Sequence, residues 1–436
     1  MALLVTPPAQ AGNPRRRARS PRARARVSTP RRPLAAPPRH ATHRPVLPPG
    51  TLERDLARRV PALLSRARAL LRLPGGPADR LAKGELAKAA AAVSALHLGL
   101  VGERTLAKAA TYDEAAHLGA YLLWWWPQSY AKVRAALALR PGLLEGLQGT
   151  APLLDLGAGP GPAAFAALDH LAVRGVRGQA LLLDRSGRAL AEAKALSGGA
   201  ADGPVQIAEA DLARGAAALP PGAARYALIT AAHLLSELPE GLDARARFGR
   251  EAAALLAPGG VLLLLEPALR ETGRALLQVR DRLLANDSQT APLAVLAPCF
   301  TQRPCPALAH PRDWCTAEQP WEAPPHVLQL SRELGLHAEA PLQFAAVILG
   351  AAATSPAPAP DVFRVVGLPP PEKGKKRLFV CNDGGRVAVA RLERDRSPAN
   401  ETFDNAGRGD VLRLTGLIEK GDGKRLGPGA TVEPLP

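Results

Sequence analysis

The stretch Pro152–Leu168, PLLDLGAGPGPAAFAAL, decides how the rest of the chain is read. A short apolar run ends at Asp155, glycines alternate at Gly157, Gly159 and Gly161, and an Ala-rich helical pattern follows. That order is a strand, a tight turn and the opening of a helix, the context in which a glycine motif carries meaning. Glycine is needed because the turn uses backbone angles that a Cβ disfavours, and because backbone must approach a ligand closely. The spacing D-x-G-x-G-x-G differs from the dinucleotide fingerprint G-x-G-x-x-G. About one βα unit later a second apolar strand, LLLD, ends at Asp184, where a carboxylate is expected to grip ribose hydroxyls.

Downstream, QALLLD, PVQIAEAD, YALITAAHLL, GGVLLLLEP and QFAAVILG read as near-continuous apolar strands with helical segments between most of them. Such alternation predicts a parallel sheet covered on both faces. Asp211, at the end of the third strand, suits the adenine or its amino group. The glycine loop resembles the first motif of Rossmann-type methyltransferases, and the resemblance implies that it carries the methionine end of S-adenosylmethionine. The expected fold class is therefore α/β, a Rossmann-like class I methyltransferase domain. A helical N-terminal region, a Cys-rich insertion and a small β-rich C-terminal extension accompany it. The fourth strand runs into Ala231-Ala232-His233, not into the N-P-P-Y or D-P-P-Y box used to methylate exocyclic amines. His233 reads either as a catalytic base or as a structural histidine. Glu237, Glu240 and Glu266 are equally ambiguous, and no catalytic residue is assigned.

Upstream, residues 51–148 carry apolar residues at helical spacing. Arg58, Arg59, Arg66, Arg68 and Arg72 form a basic face there, solvated or set against RNA. Trp124, Trp125 and Trp126 are read as packing against the cofactor domain rather than as a platform for bases. Residues 1–50 lack any acidic residue and are rich in arginine and proline, a composition that cannot bury a core. A basic arm on RNA, a transit peptide and an upstream extension are competing readings of it. The 436 residues carry a formal net charge of +17, which points to a polyanionic partner. No run reaches the roughly 18 apolar residues of a membrane helix, so no membrane partner is expected.

The four cysteines are too few and too uneven for a disulfide framework in so long a chain. Cys299, Cys305 and Cys315 lie in the proline-rich insertion APCFTQRPCPALAHPRDWCTAEQPW (297–321). Cys381 follows beyond the linker TSPAPAP, in a tail whose strands read KKRLFVC, RVAVARLE and DVLRLTGLI. Structural zinc usually uses tighter C-x2–4-C knuckles. Wider, proline-stiffened loops suit a bulkier iron–sulfur cluster with a thiolate at each iron. Zinc stays open as the alternative. Lys373, Lys375, Lys376 and Arg377 either offset the charge of such a cluster or are ordinary solvated side chains.

Taken with LDLGAGPG, HLLSELP, the Tyr121–Tyr130 segment and GRGD (Gly407–Asp410), this insertion resembles the methyltransferase-like family of the small ribosomal subunit, bacterial and mitochondrial. This chain has CFTQR and DWCTA where that family usually shows CPHDG and DWCHF, and Arg408 where tryptophan is common. The resemblance implies a four-iron four-sulfur cluster on Cys299, Cys305, Cys315 and Cys381. It also implies S-adenosylmethionine held by Asp155, Gly157, Gly159, Gly161, Asp184 and Asp211, and the small subunit and its ribosomal RNA as partners. The protein is expected in the cytoplasm of a bacterium or the mitochondrial matrix of a eukaryote, monomeric off the ribosome. It either methylates ribosomal RNA or acts as a non-catalytic assembly factor. The expected boundaries are a basic arm over 1–50, a helical region over 51–148 and the cofactor domain over 149–350. A linker over 351–360 and a β-rich domain over 361–436 complete the chain.

Overall fold

The computed structural model describes residues 50–99, 111–140, 142–147, 149–198, 203–221, 224–238, 241–285, 292–352 and 359–435, all within one compact unit, His40–Pro436. The basic arm up to residue 49, the linker residues 353–358 and Glu240 lie outside the described residues. Helices α1 (Thr51–Leu71), α2 (Lys83–His97) and α3 (Ala115–Leu137) come first. The glycine stretch then forms β1 (Thr150–Leu156) and α4 (Pro162–Ala172), as its pattern requires. β2 (Arg177–Asp184), α5 (Gly187–Leu196), β3 (Val205–Glu209), β4 (Tyr226–Ala232), α6 (Leu242–Ala253), β5 (Leu256–Pro267) and α7 (Arg270–Leu284) continue the alternation. β6 (Leu293–Ala297), β7 (Ala317–Gln319), α8 (Pro325–Leu334) and β8 (Leu342–Ala351) complete the sheet.

The strand order is β3-β2-β1-β4-β5-β8-β6, with β7 paired to β8. β3, β2, β1, β4 and β5 are mutually parallel. The sheet is parallel as expected except at β8, which runs antiparallel to both β5 and β6. An apolar run buried on both faces looks the same in either direction, so only the connections decide polarity. Along β5, Leu263 and Leu265 enter one core and Leu262 and Leu264 the other. The helices α1–α4 lie over the first core, and α6 and α7 over the second.

Of the five arginines expected on one basic face, Arg59, Arg66 and Arg68 are spent on carboxylates of other elements, while Arg58 and Arg72 stay exposed. Arg59 grips Asp169 of α4 with two bonds of 3.0 and 2.9 Å, and Arg66 grips Glu192 of α5 at 2.7 and 2.8 Å. Arg68 turns to Glu85 of α2 at 2.8 Å, and Arg58 to Asp55 at 2.8 Å. Helical spacing shows that charges share a face but is blind to carboxylates on elements remote in sequence. The buried Tyr130 hydroxyl also donates to Asp169, at 2.5 Å, so this one carboxylate joins α1, α3 and α4. Trp126 is fully buried, stacks on Tyr130 and donates to the Pro160 carbonyl at 3.0 Å, in keeping with packing against the cofactor domain.

The tail forms β9 (Val362–Gly367), β10 (Lys375–Asn382), β11 (Gly385–Leu392), α9 (Thr402–Asn405), β12 (Val411–Lys420) and β13 (Gly423–Leu435). Its five strands close into a barrel in the order β10-β11-β13-β12-β9. Phe403 of α9, fully buried, packs into the barrel core with Leu378, Val380, Val389 and Leu426.

Asp169→Ala would strand a largely buried guanidinium and a buried hydroxyl together. We expect a loss of about 3–5 kcal/mol, the usual consequence of removing one partner from a buried ion pair. Urea unfolding monitored by tryptophan fluorescence measures it. A loss under about 1 kcal/mol would show that Arg59 and Tyr130 find other partners.

Candidate functional site

The C-terminal ends of β1, β2 and β4 open onto one pocket. Its wall includes Gly157, Ala158, Gly159, Asp184, Ser186, Asp211, His233 and Glu237. Gly157, Gly159 and Gly161 all have positive φ, so the loop cannot form with ordinary side chains there without strain. A Cβ on Gly159 would meet nothing within 4 Å, whereas one on Gly157 would strike Leu234 at 2.9 Å. Gly159 thus presents bare backbone to the open pocket.

The expected cofactor residues divide by position. Gly157, Gly159, Asp184 and Asp211 line the pocket, while Asp155 and Gly161 do not. Asp155 is buried beneath the loop, accepting from the Thr230 hydroxyl at 2.6 Å and from the Ala164 amide at 3.0 Å. It ties β1 to β4 and caps the first turn of α4. Gly161 is the left-handed residue preceding that helix. Asp184 accepts from the amides of Gly159 and Ser186, both at 2.8 Å, which couples the end of β2 to the glycine loop. Asp211 is exposed and accepts from the Ala213 amide at 3.1 Å.

Several wall residues escaped the motif search. Tyr112, Asp113, Tyr121 and Ser129 arrive from the helical region before β1. The rings of Tyr112 and Tyr121 meet edge to face at 5.1 Å. Sequence offered only the family-like Tyr121–Tyr130 segment as a signal, because a helix contributes to a pocket through packing rather than through a motif.

Desolvation dominates the electrostatics. Burial raises Asp155 and Glu266 to about 7, the nearby carboxylates Asp184 and Glu237 adding to the effect. Burial likewise raises Glu237 to about 7 and lowers Lys132 to about 8. His233, at positive φ, is pushed down to about 3 by burial and then by Lys132. Its Nδ1 is buried without a hydrogen-bond partner among the described residues. A ring so reluctant to take a proton is a weak general base at neutral pH, since an effective base has a pKa near the working pH. Glu237 has the better-matched proton affinity and opens into the pocket.

A second cavity brings together Cys299, Cys305, Cys315 and Cys381, from the insertion and from the barrel. Arg364 and Arg386 share its wall. Arg364 donates to the carbonyls of Pro298, at 2.8 Å, and Gly409, at 2.7 Å. Burial and the neighbouring thiols push Cys305 up to about 12 and Cys315 to about 11. Among the described residues, no three His, Cys, Asp or Glu side chains converge tightly enough to hold a single metal ion. Of the two readings of Lys373, Lys375, Lys376 and Arg377, charge offset finds no support, since none of the four lines this cavity. Lys375 and Cys381 sit at opposite ends of β10, about 20 Å apart at about 3.3 Å per residue. Lys376 instead donates to the Asp404 carbonyl. Nor is the tail held by its linker alone, since Arg386 pairs with Asp313, Arg408 with Glu318 at 2.9 Å and Arg303 with Asp383 at 3.5 Å.

The sheet order, with its antiparallel β8 inserted between β5 and β6, is that of class I S-adenosylmethionine-dependent methyltransferases. A sequence model of the family described as mitochondrial small ribosomal subunit Rsm22 matches residues 115–406. No curated protein matches the chain significantly in sequence. Similar solved structures include a putative methyltransferase of Streptococcus mutans, 12% identical, covering 51% of this chain and 48% of that one at TM-score 0.32. TrmN from Thermus thermophilus is 19% identical over 52% of each chain at TM-score 0.29. A putative class I methyltransferase of Listeria monocytogenes is 10% identical, covering 71% of this chain and 91% of that one at TM-score 0.34. This chain spans about half the length of the first two. No described helix is long and apolar enough to cross a membrane.

Folding raises the proton affinity of Asp155, so its stabilising contribution is present below the unfolded carboxylate range near 4 and is lost as pH climbs through about 7. An asparagine in its place would carry no charge, its oxygen accepting from the Ala164 amide and its NH2 donating to a reoriented Thr230 hydroxyl. Asp155→Asn should therefore gain roughly 1–3 kcal/mol on wild type between pH 5 and pH 8. Paired urea melts at the two pH values measure this, and a pH-independent difference would mean Asp155 is ionised throughout.

Proposed function

Because this chain belongs to the family of the mitochondrial small ribosomal subunit protein Rsm22, we propose that it is an S-adenosylmethionine-binding, methyltransferase-like protein of that subunit, its barrel held by a four-iron four-sulfur cluster. The observation carrying the cofactor reading is the pocket wall itself. Bare backbone at Gly159 stands beside two carboxylates, Asp184 and Asp211, at successive strand ends. In this reading Asp184 receives ribose hydroxyls, Asp211 faces the adenine, and the glycines accept the methionine end. Asp155 and Gly161 serve from beneath by fixing the loop. Bound there, S-adenosylmethionine supplies an electrophilic methyl group.

The acceptor is ribosomal RNA if the protein is an enzyme. Glu237 is then the proton-accepting group best matched to neutral pH. A second reading, a non-catalytic assembly factor, is favoured by His233. At the end of β4, where a base would stand, the ring is held neutral and weakly basic. Mapping methylation in small-subunit RNA from matched wild-type and deletion cells separates the two. A lost methyl group means an enzyme, and an unchanged map means an assembly factor.

The donor set fits a thiolate-rich, multi-iron group better than zinc. Four thiols from two parts of the chain share one cavity with buried guanidinium groups that would offset their charge once deprotonated. Zinc would require sulfurs about 2.3 Å from one centre, whereas a cluster spaces its ligands over several irons.

Two outcomes are expected. Gly159→Val should abolish S-adenosylmethionine binding in calorimetry while leaving the melting curve cooperative, and undiminished affinity would sink the cofactor assignment. Anaerobically purified protein should be brown, with about four irons per chain. Cys381→Ser should lower that content and admit protease between residues 351 and 360, whereas one zinc per colourless chain would mean the metal was misassigned.

A further inference from the structure

Strand register sets an arginine on each side of Cys381. Across β10 and β9 it stands opposite Arg364, and across β10 and β11 opposite Arg386. Residues directly opposite in neighbouring strands share a face of the sheet. Leu378, Val380, Val389, Phe363 and Val365 fill the barrel core. Alternation therefore turns the row Arg364–Cys381–Arg386 outward, where all three line the cysteine cavity.

The two guanidinium groups are spent differently. Arg386 stacks on Phe379 at 4.9 Å and pairs with Asp313 of the insertion, so its charge already has a carboxylate. Arg364 has neutral partners. It donates through Nε to the Pro298 carbonyl at 2.8 Å and through Nη1 to the Gly409 carbonyl at 2.7 Å, and it lies over the Phe300 ring at 5.3 Å. Pro298 and Phe300 are the chain neighbours of Cys299. Arg364 thus grips the insertion on both sides of Cys299 while standing opposite Cys381. Among the described residues it has no ion-pair partner, and ionised Cys299 and Cys315 would act on it more strongly than Asp410 does.

We propose that Arg364 is the positioning residue and counter-charge of the cysteine site, fixing Cys299 against Cys381 and favouring the more negative state of the group that the thiolates hold. Arg386, already paired, docks the insertion on the barrel without that role. The inference rests on the iron–sulfur reading of this cavity given above. A thiolate-ligated cluster gains negative charge on reduction, and net charge and burial around it set how readily it is reduced. A cation without a carboxylate acts there at low effective dielectric, whereas a paired one is largely cancelled. Groups behind the ligands orient them and tune the metal in the same way.

The test uses the full chain, purified anaerobically, with iron, sulfide and zinc counted first. The reduction midpoint is then read by spectroscopic titration with dithionite and mediators. Arg364→Gln should shift the reduction equilibrium about tenfold toward the oxidised form, about 59 mV more negative for a one-electron couple. Arg364→Lys keeps the charge without the planar fork, so it should restore the midpoint while loading less iron. Asp313→Asn/Arg386→Gln removes the docking pair as a whole. It should leave the midpoint unmoved and instead open the junction between insertion and barrel to protease. An unshifted midpoint in iron-loaded Arg364→Gln overturns the proposal, as does a shift of the same size in the docking double variant. Should Arg364→Gln fail to fold or to hold iron, Arg364→Lys decides, because a midpoint displaced about tenfold with the charge kept would also overturn it. Wild type carrying one zinc and no sulfide would reject the cluster reading by itself. Arg364 is then judged by chelator-driven zinc release, about tenfold faster from Arg364→Gln than from Arg364→Lys if the assignment holds and equal if it does not. Metal-free wild type with an unchanged fold overturns both.

Discussion

The carboxylate of Asp169 is the constraint on which the arrangement depends. It is buried on α4, the helix that the glycine loop opens, and it takes a bidentate guanidinium from α1 and a hydroxyl from α3. Charge in a low-dielectric interior is tolerable only when every lone pair has a donor, so this one group holds three helices in a fixed relation. That relation carries Tyr121 and Ser129 of α3 to the pocket mouth. A second buried pair, Arg134 with Asp55 at 2.7 Å, repeats the device one layer away. The helical region is thus built into the cofactor domain and contributes part of its site.

In and around the pocket the same physics acts on groups with fewer partners. Glu237 and Glu266 are both raised to about 7 because burial disfavours their charged forms. His233 and Lys132 shift the opposite way for the same reason. Glu237, which lines the pocket, is thus responsive to a cationic ligand, which would draw it toward ionisation. The cysteine cavity is the mirror case. Burial keeps its thiols protonated, while thiolates, if formed on a bound metal, would give the desolvated Arg364 guanidinium its counter-charge.

How much of this was legible beforehand depends on the range of the interaction. The glycine loop, Asp184 and Asp211 were legible because a strand, a turn and a helix written within twenty or so residues obey local rules of backbone angle and burial period. The roles within that set were not. Asp155 and Gly161 share the motif with Gly159 but lie under the loop, and spacing alone does not separate wall from foundation. The ion pairs of Arg59, Arg66 and Arg68 were not legible because their carboxylate partners come from α4, α5 and α2. The sequence left open whether the lysines before Cys381 offset charge or are solvated, because a strand carries neighbours in sequence far apart in space.

The sequence by itself determined the strand–loop–helix unit, the succession of apolar strands and the four cysteines, all properties of local pattern and composition. Only the tertiary structure decided that β8 runs antiparallel, that the tail closes as a barrel, and that Cys381 meets the three cysteines of the insertion. It likewise decided which cations are spent on ion pairs and which face outward. The reason is that direction, closure and pairing are set by contacts between segments far apart in the chain, and a one-dimensional pattern records the surface each segment must bury without recording what it is buried against.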